Sequence, residues 1–174
     1  MKRIKTSYQA FLNLPLRWQL RAFALLAAFL VAGAFMVEYG FKAQPCHLCW
    51  LQRYGHWAML AIAFSGSFLP YRGQVVAMAG VLATSLYGFG YGVYHTLIQA
   101  KLIELPAGCG RMDMPTSLES FNQYLQNPTL PPRCDQVSFA VFGIPLPGWN
   151  ILIMGAVIYL IFAIYRNRTT PKGA

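Results

Sequence analysis

Four cysteines carry most of the chemistry open to this sequence, and they fall into two pairs of different kind. Cys46 and Cys49 stand three apart in "PCHLCWLQR", where an apolar run begins; Cys109 and Cys134 follow much later. A bridge across C-x-x-C closes too small a loop to restrain much chain entropy, so its usual purpose is thiol–disulfide exchange. A bridge from Cys109 to Cys134 would close a large loop and, as a plain staple, contribute roughly 3–4 kcal/mol. Four cysteines allow three pairings, which the residues alone leave open. A zinc site would want a second short knuckle, which the Cys109 and Cys134 spacing does not supply. Covalent haem would want histidine directly after the second cysteine, where Trp50 stands. No metal is expected.

The surroundings of Cys49 add to the redox reading. A helix starting there directs unpaired N–H groups and partial positive charge at the sulfur, favouring thiolate. Arg53 lies one turn on, at i+4, on the same face. An arginine so near a helix end can snorkel to lipid headgroups; inside an apolar span it is otherwise a functional residue. The chemistry favours the second reading, because a cation there stabilises an attacking thiolate and the charge building on an electron acceptor. His56, at i+7 from Cys49, points the same way on a helical wheel. His95, near the end of a later apolar window, could touch the acceptor or a proton path; a satisfied interfacial histidine is the plainer account.

These residues must be positioned by apolar elements. The chain has 174 residues, 56% hydrophobic and only 11% charged, with net charge +9. A bilayer span needs roughly 20 apolar residues, and four windows approach that: 20–39, 50–69, 74–99 and 148–165. The first carries only Arg21 and Glu38, both near its ends; the second is interrupted by Arg53 and His56; the last two have no charged residue. The basic residues are not interleaved with polar sequence as a nucleic-acid groove requires. They cluster at span ends instead: Lys2, Arg3, Lys5 and Arg17, then Arg72, then Arg166, Arg168 and Lys172. By the positive-inside rule those ends are cytoplasmic.

The expected fold is therefore an all-α integral membrane protein: one domain, a four-transmembrane-helix bundle. Segments 1–19 and 166–174 and the turn 70–73 lie inside, and the loops 40–49 and 100–147 outside. The long outer loop carries three basic residues against four acidic ones, as an outward segment should. All four cysteines then face a compartment where disulfides persist. Within that loop, 117–126 has apolar Leu118, Phe121, Tyr124 and Leu125 at the spacing of a short amphipathic surface helix, with extended, mobile chain around it. Residues 8–18 suit either a short interfacial helix or a frayed tail. Residues 1–34 resemble a cleavable leader, with "AGA" at 32–34, but the basic segment is long and the apolar run continues past the site, so retention is expected. Gly88 and Gly92 share a helical face and suit close helix packing, and Trp50, Trp57 and Trp149 suit interfacial or packing roles.

Taken together, "PCHLCWLQR" before the second window, "YHT" at 94–96, the Cys109 to Cys134 interval and "FGIPLPGW" at 142–149 resemble the disulfide bond formation protein B (DsbB) family of bacterial inner membranes. The likeness spans most of the chain, with two departures: His47 takes an inner C-x-x-C position that is often aliphatic, and Phe139 stands where some members carry tryptophan. The resemblance implies a quinone-linked thiol oxidase, using ubiquinone or menaquinone, that reoxidises a periplasmic thioredoxin-fold dithiol protein of DsbA type. It implies that Cys109 and Cys134 form the disulfide the partner attacks, with Cys109 as the mixed-disulfide site. Exchange between Cys46 and Cys134 passes the electrons on, Cys49 donates to the quinone, and Arg53 binds it. Two other readings compete. A vitamin K epoxide reductase-like enzyme also joins four helices, a quinone and C-x-x-C, but there the loop cysteines precede that motif. A non-catalytic membrane scaffold with structural bridges predicts that Cys49→Ser leaves function intact.

Overall fold

The computed structural model describes residues 2–106, 109, 118, 119, 122 and 133–169. The surface helix expected over 117–126 lies outside them except for 118, 119 and 122, as does most of the segment expected to be extended and mobile. The chain is built from helices α1 (Lys2–Asn13), α2 (Leu16–Phe35), α3 (His47–Gly66), α4 (Tyr71–Gln99) and α5 (Leu146–Thr169). A π-helical turn, Met36–Gly40, extends α2, and a two-stranded hairpin, β1 (Ala140–Val141) with β2 (Ile144–Pro145), leads into α5.

Prolines set several of these ends. The segment read as one piece over 8–18 is divided at Pro15, whose ring holds φ at −54° and forces its neighbour out of helical geometry, so Trp18 belongs to α2. Pro70 likewise stands immediately before α4, and the turn expected over 70–73 becomes the first turn of that helix. The hairpin turns through Phe142 and Gly143, both with positive φ (50° and 77°), which matches the twist of two antiparallel strands.

Three helical stretches, Leu16–Gly40, Tyr71–Gln99 and Leu146–Thr169, are long and apolar enough to cross a membrane. Their outward faces are greasy: Leu25, Phe29, Val76, Leu86, Leu152 and Phe162 are exposed, whereas Gln19, Ser85 and Asn150 are buried. That inversion suits lipid rather than water as the solvent of the helix surface. α2 packs on α3, α3 on α4 and α4 on α5, closing a bundle. Gly88 and Gly92 pay off as packing surfaces: a Cβ on Gly88 would meet Met154 at 3.3 Å, and one on Gly92 would meet Ile151 at 3.0 Å. Asn150 adds a hydrogen bond from Nδ2 to the Gly88 carbonyl oxygen at 2.8 Å across the same interface.

The core falls into two clusters. One, around Leu20, Phe23, Met59, Val81, Val157 and Ile161, fills the bundle toward α1 and the end of α5. There Arg168 donates to the Leu14 carbonyl (2.8 Å) and to Gln19 Oε1 (3.2 Å), tying α5 to the α1–α2 corner. The other cluster, at the opposite end, is made of Cys46, Leu48, Ile98, Cys109 and Cys134.

Candidate active site

Both cysteine pairs meet at this second end. Cys46 is the N-cap of α3: its backbone is extended, and its Sγ accepts from the Cys49 N–H at 3.3 Å, so the C-x-x-C forms the first turn of the helix. The helix thus begins at His47, three residues before the apolar window, because the sulfur satisfies an N–H group that the opening turn leaves unpaired. The Cys46 and Cys49 sulfurs are 2.8 Å apart and unbridged; Cys109 and Cys134 are joined in a disulfide with Cα atoms 5.3 Å apart.

His95 stands between the pairs. It is 1% exposed, and its Nε2 lies 3.7 Å from Cys46 Sγ and 3.1 Å from the Cys134 carbonyl oxygen, while Nδ1 is 3.1 Å from Gln52 Nε2. The Gln52 amide donates to Nδ1 and the shorter contact on the other side, to the Cys134 carbonyl, calls for an N–H on Nε2, although the Gln99 amide nitrogen also lies 3.4 Å from Nε2. His95 is therefore an internal link and not a histidine at a lipid interface. The Cys46 thiol, just outside the helix, is lowered to about 4, first by the hydrogen bond with Cys49 and then by His95. The N–H at the start of the helix thus points at Cys46 and not, as the spacing suggested, at Cys49.

Cys46, Cys49 and His95 also present three donor atoms within 4.8 Å of one another. Tetrahedral zinc with bonds of about 2.3 Å would hold two sulfurs roughly 3.8 Å apart. At 2.8 Å the pair is set closer to sulfur–sulfur bonding.

Arg53 is buried one turn below Cys49 and is not snorkelling. It forms an ion pair with Glu38 on the π-helical turn and donates to the Ala34 carbonyl at 3.1 Å. Its guanidinium lies 4.9 Å from the Trp50 ring and 5.3 Å from that of Phe35. A π turn widens the helix by one residue, and such turns recur at functional sites; here it brings Glu38 to Arg53. Sequence reasoning saw Glu38 only as a span-end charge. The available signal was that it is the sole acid in the first window and the natural counter-ion for the sole cation in the upper half of α3.

Beside these groups is a cavity of about 440 Å³, bounded by α2 on one side and the start of α5 on the other, with Cys49, Arg53, His56 and His95 in its wall. Most of the wall is apolar, supplied by Phe29, Leu30, Val37, Leu146 and Ile153. Two wall residues, Gln99 and Asn150, each carry a buried side-chain oxygen without a hydrogen-bond partner among the described residues. Size, apolar lining and a few convergent polar groups are the marks of a small-molecule site. The loop is anchored over it by Phe139 packing on Phe41 at 5.0 Å and by Trp149 donating to the Val141 carbonyl at 3.1 Å. Phe139 thus does the docking work at the position noted as a departure in sequence.

A helical protein with three membrane-length apolar stretches, a disulfide beside a dithiol and a side cavity at their common edge is a membrane thiol–disulfide oxidoreductase by architecture. The family model for disulfide bond formation protein DsbB matches residues 16–164, and the chain belongs to that family. Curated relatives named disulfide bond formation protein B agree across nearly their full length. The one from Marinobacter nauticus is 28% identical over 162 residues, covering 90% of this chain and 95% of the relative. That of Alkalilimnicola ehrlichii is 32% identical, covering 80% and 89%, and that of Burkholderia pseudomallei 29%, covering 81% and 86%. The protein is accordingly a disulfide oxidoreductase of disulfide bond formation, and its apolar helices are compatible with an inner-membrane protein.

Proposed function

We propose that the protein is a quinone-dependent oxidase of the bacterial inner membrane that reoxidises a periplasmic thioredoxin-fold dithiol protein of DsbA type. One observation carries this reading: the two cysteine pairs share His95 at one end of the bundle, directly beside an apolar cavity that Cys49 and Arg53 line. Its apolar walls, Arg53 and the unpartnered buried oxygens of Gln99 and Asn150 suit a flat, lipid-soluble ring with polar edges. When bound, a quinone supplies an acceptor for two electrons and two protons.

The chain's own residues divide the work. A partner thiolate attacks Cys109, releasing Cys134 as thiolate; the partner's second thiol then resolves the mixed disulfide, and Cys109 and Cys134 are left reduced. Cys134 next attacks Cys46 of the oxidised C-x-x-C pair, releasing Cys49 as thiolate. Attack at Cys46 is supported by His95, which touches both Cys46 and the backbone of Cys134. Cys109 displaces Cys46 from Cys134, restoring the loop disulfide and leaving the Cys46–Cys49 dithiol. With a quinone held in the cavity, Cys49 would be the electron donor as the dithiol returns to a disulfide with loss of two electrons and two protons, and Arg53 would stabilise negative charge on the acceptor. A DsbA-type partner is a strong oxidant, at about −120 mV, so only a high-potential acceptor can drive the cycle.

Four crossings place both termini in the cytoplasm and all four cysteines outside. α3 supplies the fourth: its 20 residues reach about 30 Å, its polar Gln52, Arg53 and His56 are buried, and Tyr54, Trp57 and Phe64 face out. The test is to give purified protein a reduced DsbA-type partner and ubiquinone and follow quinone absorbance. Turnover that Cys49→Ser abolishes is expected; no turnover, or an unaffected Cys49→Ser variant, leaves the structural-bridge reading in its place. Membrane-impermeant maleimide on reduced spheroplasts should tag the cysteines, and failure to do so would refute the orientation.

A further inference from the structure

His56 has no role in the steps above, yet its place is unusual. It lies deep in α3, three residues below Arg53 and seven below Cys49, so the three share one helical face, and all three line the cavity. It is 8% exposed. An imidazole at membrane depth is costly and, by default, functional. Among the described residues its imidazole meets the side chain of Asn150. Asn150 itself is anchored by Nδ2 on the Gly88 carbonyl, which fixes its amide orientation, and its Oδ1 makes no hydrogen bond of proper geometry among the described residues. Helix pinning accounts for the Asn150 amide nitrogen; among the described residues it leaves the imidazole and Oδ1 with at most each other, a polar group of two within an apolar wall.

Building on the quinone reading, we propose that His56, backed by Asn150, is the hydrogen-bonding residue for a ring oxygen of the quinone, deeper in the cavity than Arg53. Three residues of helix separate the two side chains by about 4.5 Å along the axis, a spacing comparable with the distance across a ring bearing an oxygen at each end. A neutral imidazole has one donor and one acceptor nitrogen. It can therefore donate to the carbonyl of the oxidised ring or accept from the hydroxyl of the reduced one. Asn150 Oδ1 takes the remaining N–H in the second case, so the pair serves both forms without a net charge.

The test is binding without turnover. Oxidised full-length protein is titrated with ubiquinone-1, whose binding is read by quenching of tryptophan fluorescence and by the rise in melting temperature. His56→Phe is expected to weaken binding about tenfold, the size of one lost buried hydrogen bond, and His56→Gln to recover most of it. In turnover the quinone KM should rise while the KM for the dithiol partner stays put. Should His56→Phe not fold, His56→Met replaces it with the same expectation. Parent-like ubiquinone affinity in a folded His56 variant overturns this assignment alone. Absence of binding by the parent overturns the quinone reading as well.

Discussion

The ion pair between Arg53 and Glu38 is the most exacting place to test the physical account of the site. Both side chains are about nine-tenths buried, at 8% and 11% exposure. Arg53→Met leaves the Glu38 carboxylate buried without its counter-ion, which should cost about 3–5 kcal/mol. Glu38→Gln is gentler. Unit charges about 4 Å apart attract by about 4 kcal/mol at an effective dielectric of about 20. Removing the carboxylate also removes its own desolvation cost, several kcal/mol per ion, and Arg53 keeps the Ala34 carbonyl and two aromatic faces. The net loss should be about 2 kcal/mol. The double variant Glu38→Gln/Arg53→Met, with no charge left to bury, should be more stable than the sum of the single losses by about 2 kcal/mol or more. Equilibrium unfolding of the four proteins in mixed micelles completes the cycle. A coupling below about 0.5 kcal/mol would mean that the two sites act independently, and the pairing on the π-helical turn would then not organise the arginine.

Three further outcomes follow from the geometry. Gly92→Ala sets a methyl 3.0 Å from Ile151, 3.1 Å from Asn150 Nδ2 and 3.4 Å from the Pro147 carbonyl, and should cost about 1–3 kcal/mol. Gly90→Ala, with nothing within 4 Å, should be neutral or up to about 1 kcal/mol more stable; equal melting shifts for the two would contradict the α4–α5 packing. The Cys46 thiol is lowered to about 4, so the thiolate absorbance of the reduced Cys46–Cys49 pair should persist as pH falls from neutrality and vanish only near that value. His95→Ala should move the midpoint upward, and a midpoint already near the ordinary thiol range in the parent would refute the lowering of Cys46. Arg168→Ala, which frees the Leu14 carbonyl and Gln19 Oε1, should cost about 1 kcal/mol in an unfolding titration.

The bundle was legible because lipid demands length and apolarity of every crossing, and the windows at 20–39, 74–99 and 148–165 meet that demand on composition alone. The closeness of Cys46 and Cys49 was legible because C-x-x-C at a helix start brings its two sulfurs together. Orientation within the bundle was not. Helices that are apolar all round, such as α2 and α5, carry no stripe to say which side faces a neighbour. The signals that existed were single polar residues in apolar runs: Gln19, Ser85 and Asn150 all turned out to be buried. The π-helical turn has no sequence mark, so the meeting of Glu38 with Arg53 was out of reach until the backbone was seen. His95 was assigned to the span end correctly but to the wrong surroundings, since its contact with Cys134 depends on a loop closing over it from 39 residues away.

The burial of the loop disulfide has a consequence for selectivity. Cys109 and Cys134 are 1% and 0% exposed, so a bystander thiol drifting past this end of the bundle does not reach the loop disulfide. The loop disulfide is insulated, much as a wire is sheathed against short circuits. On the proposed cycle a dithiol must first open the packing around this disulfide, and discrimination between clients then rests on who can open the sheath rather than on who collides with it.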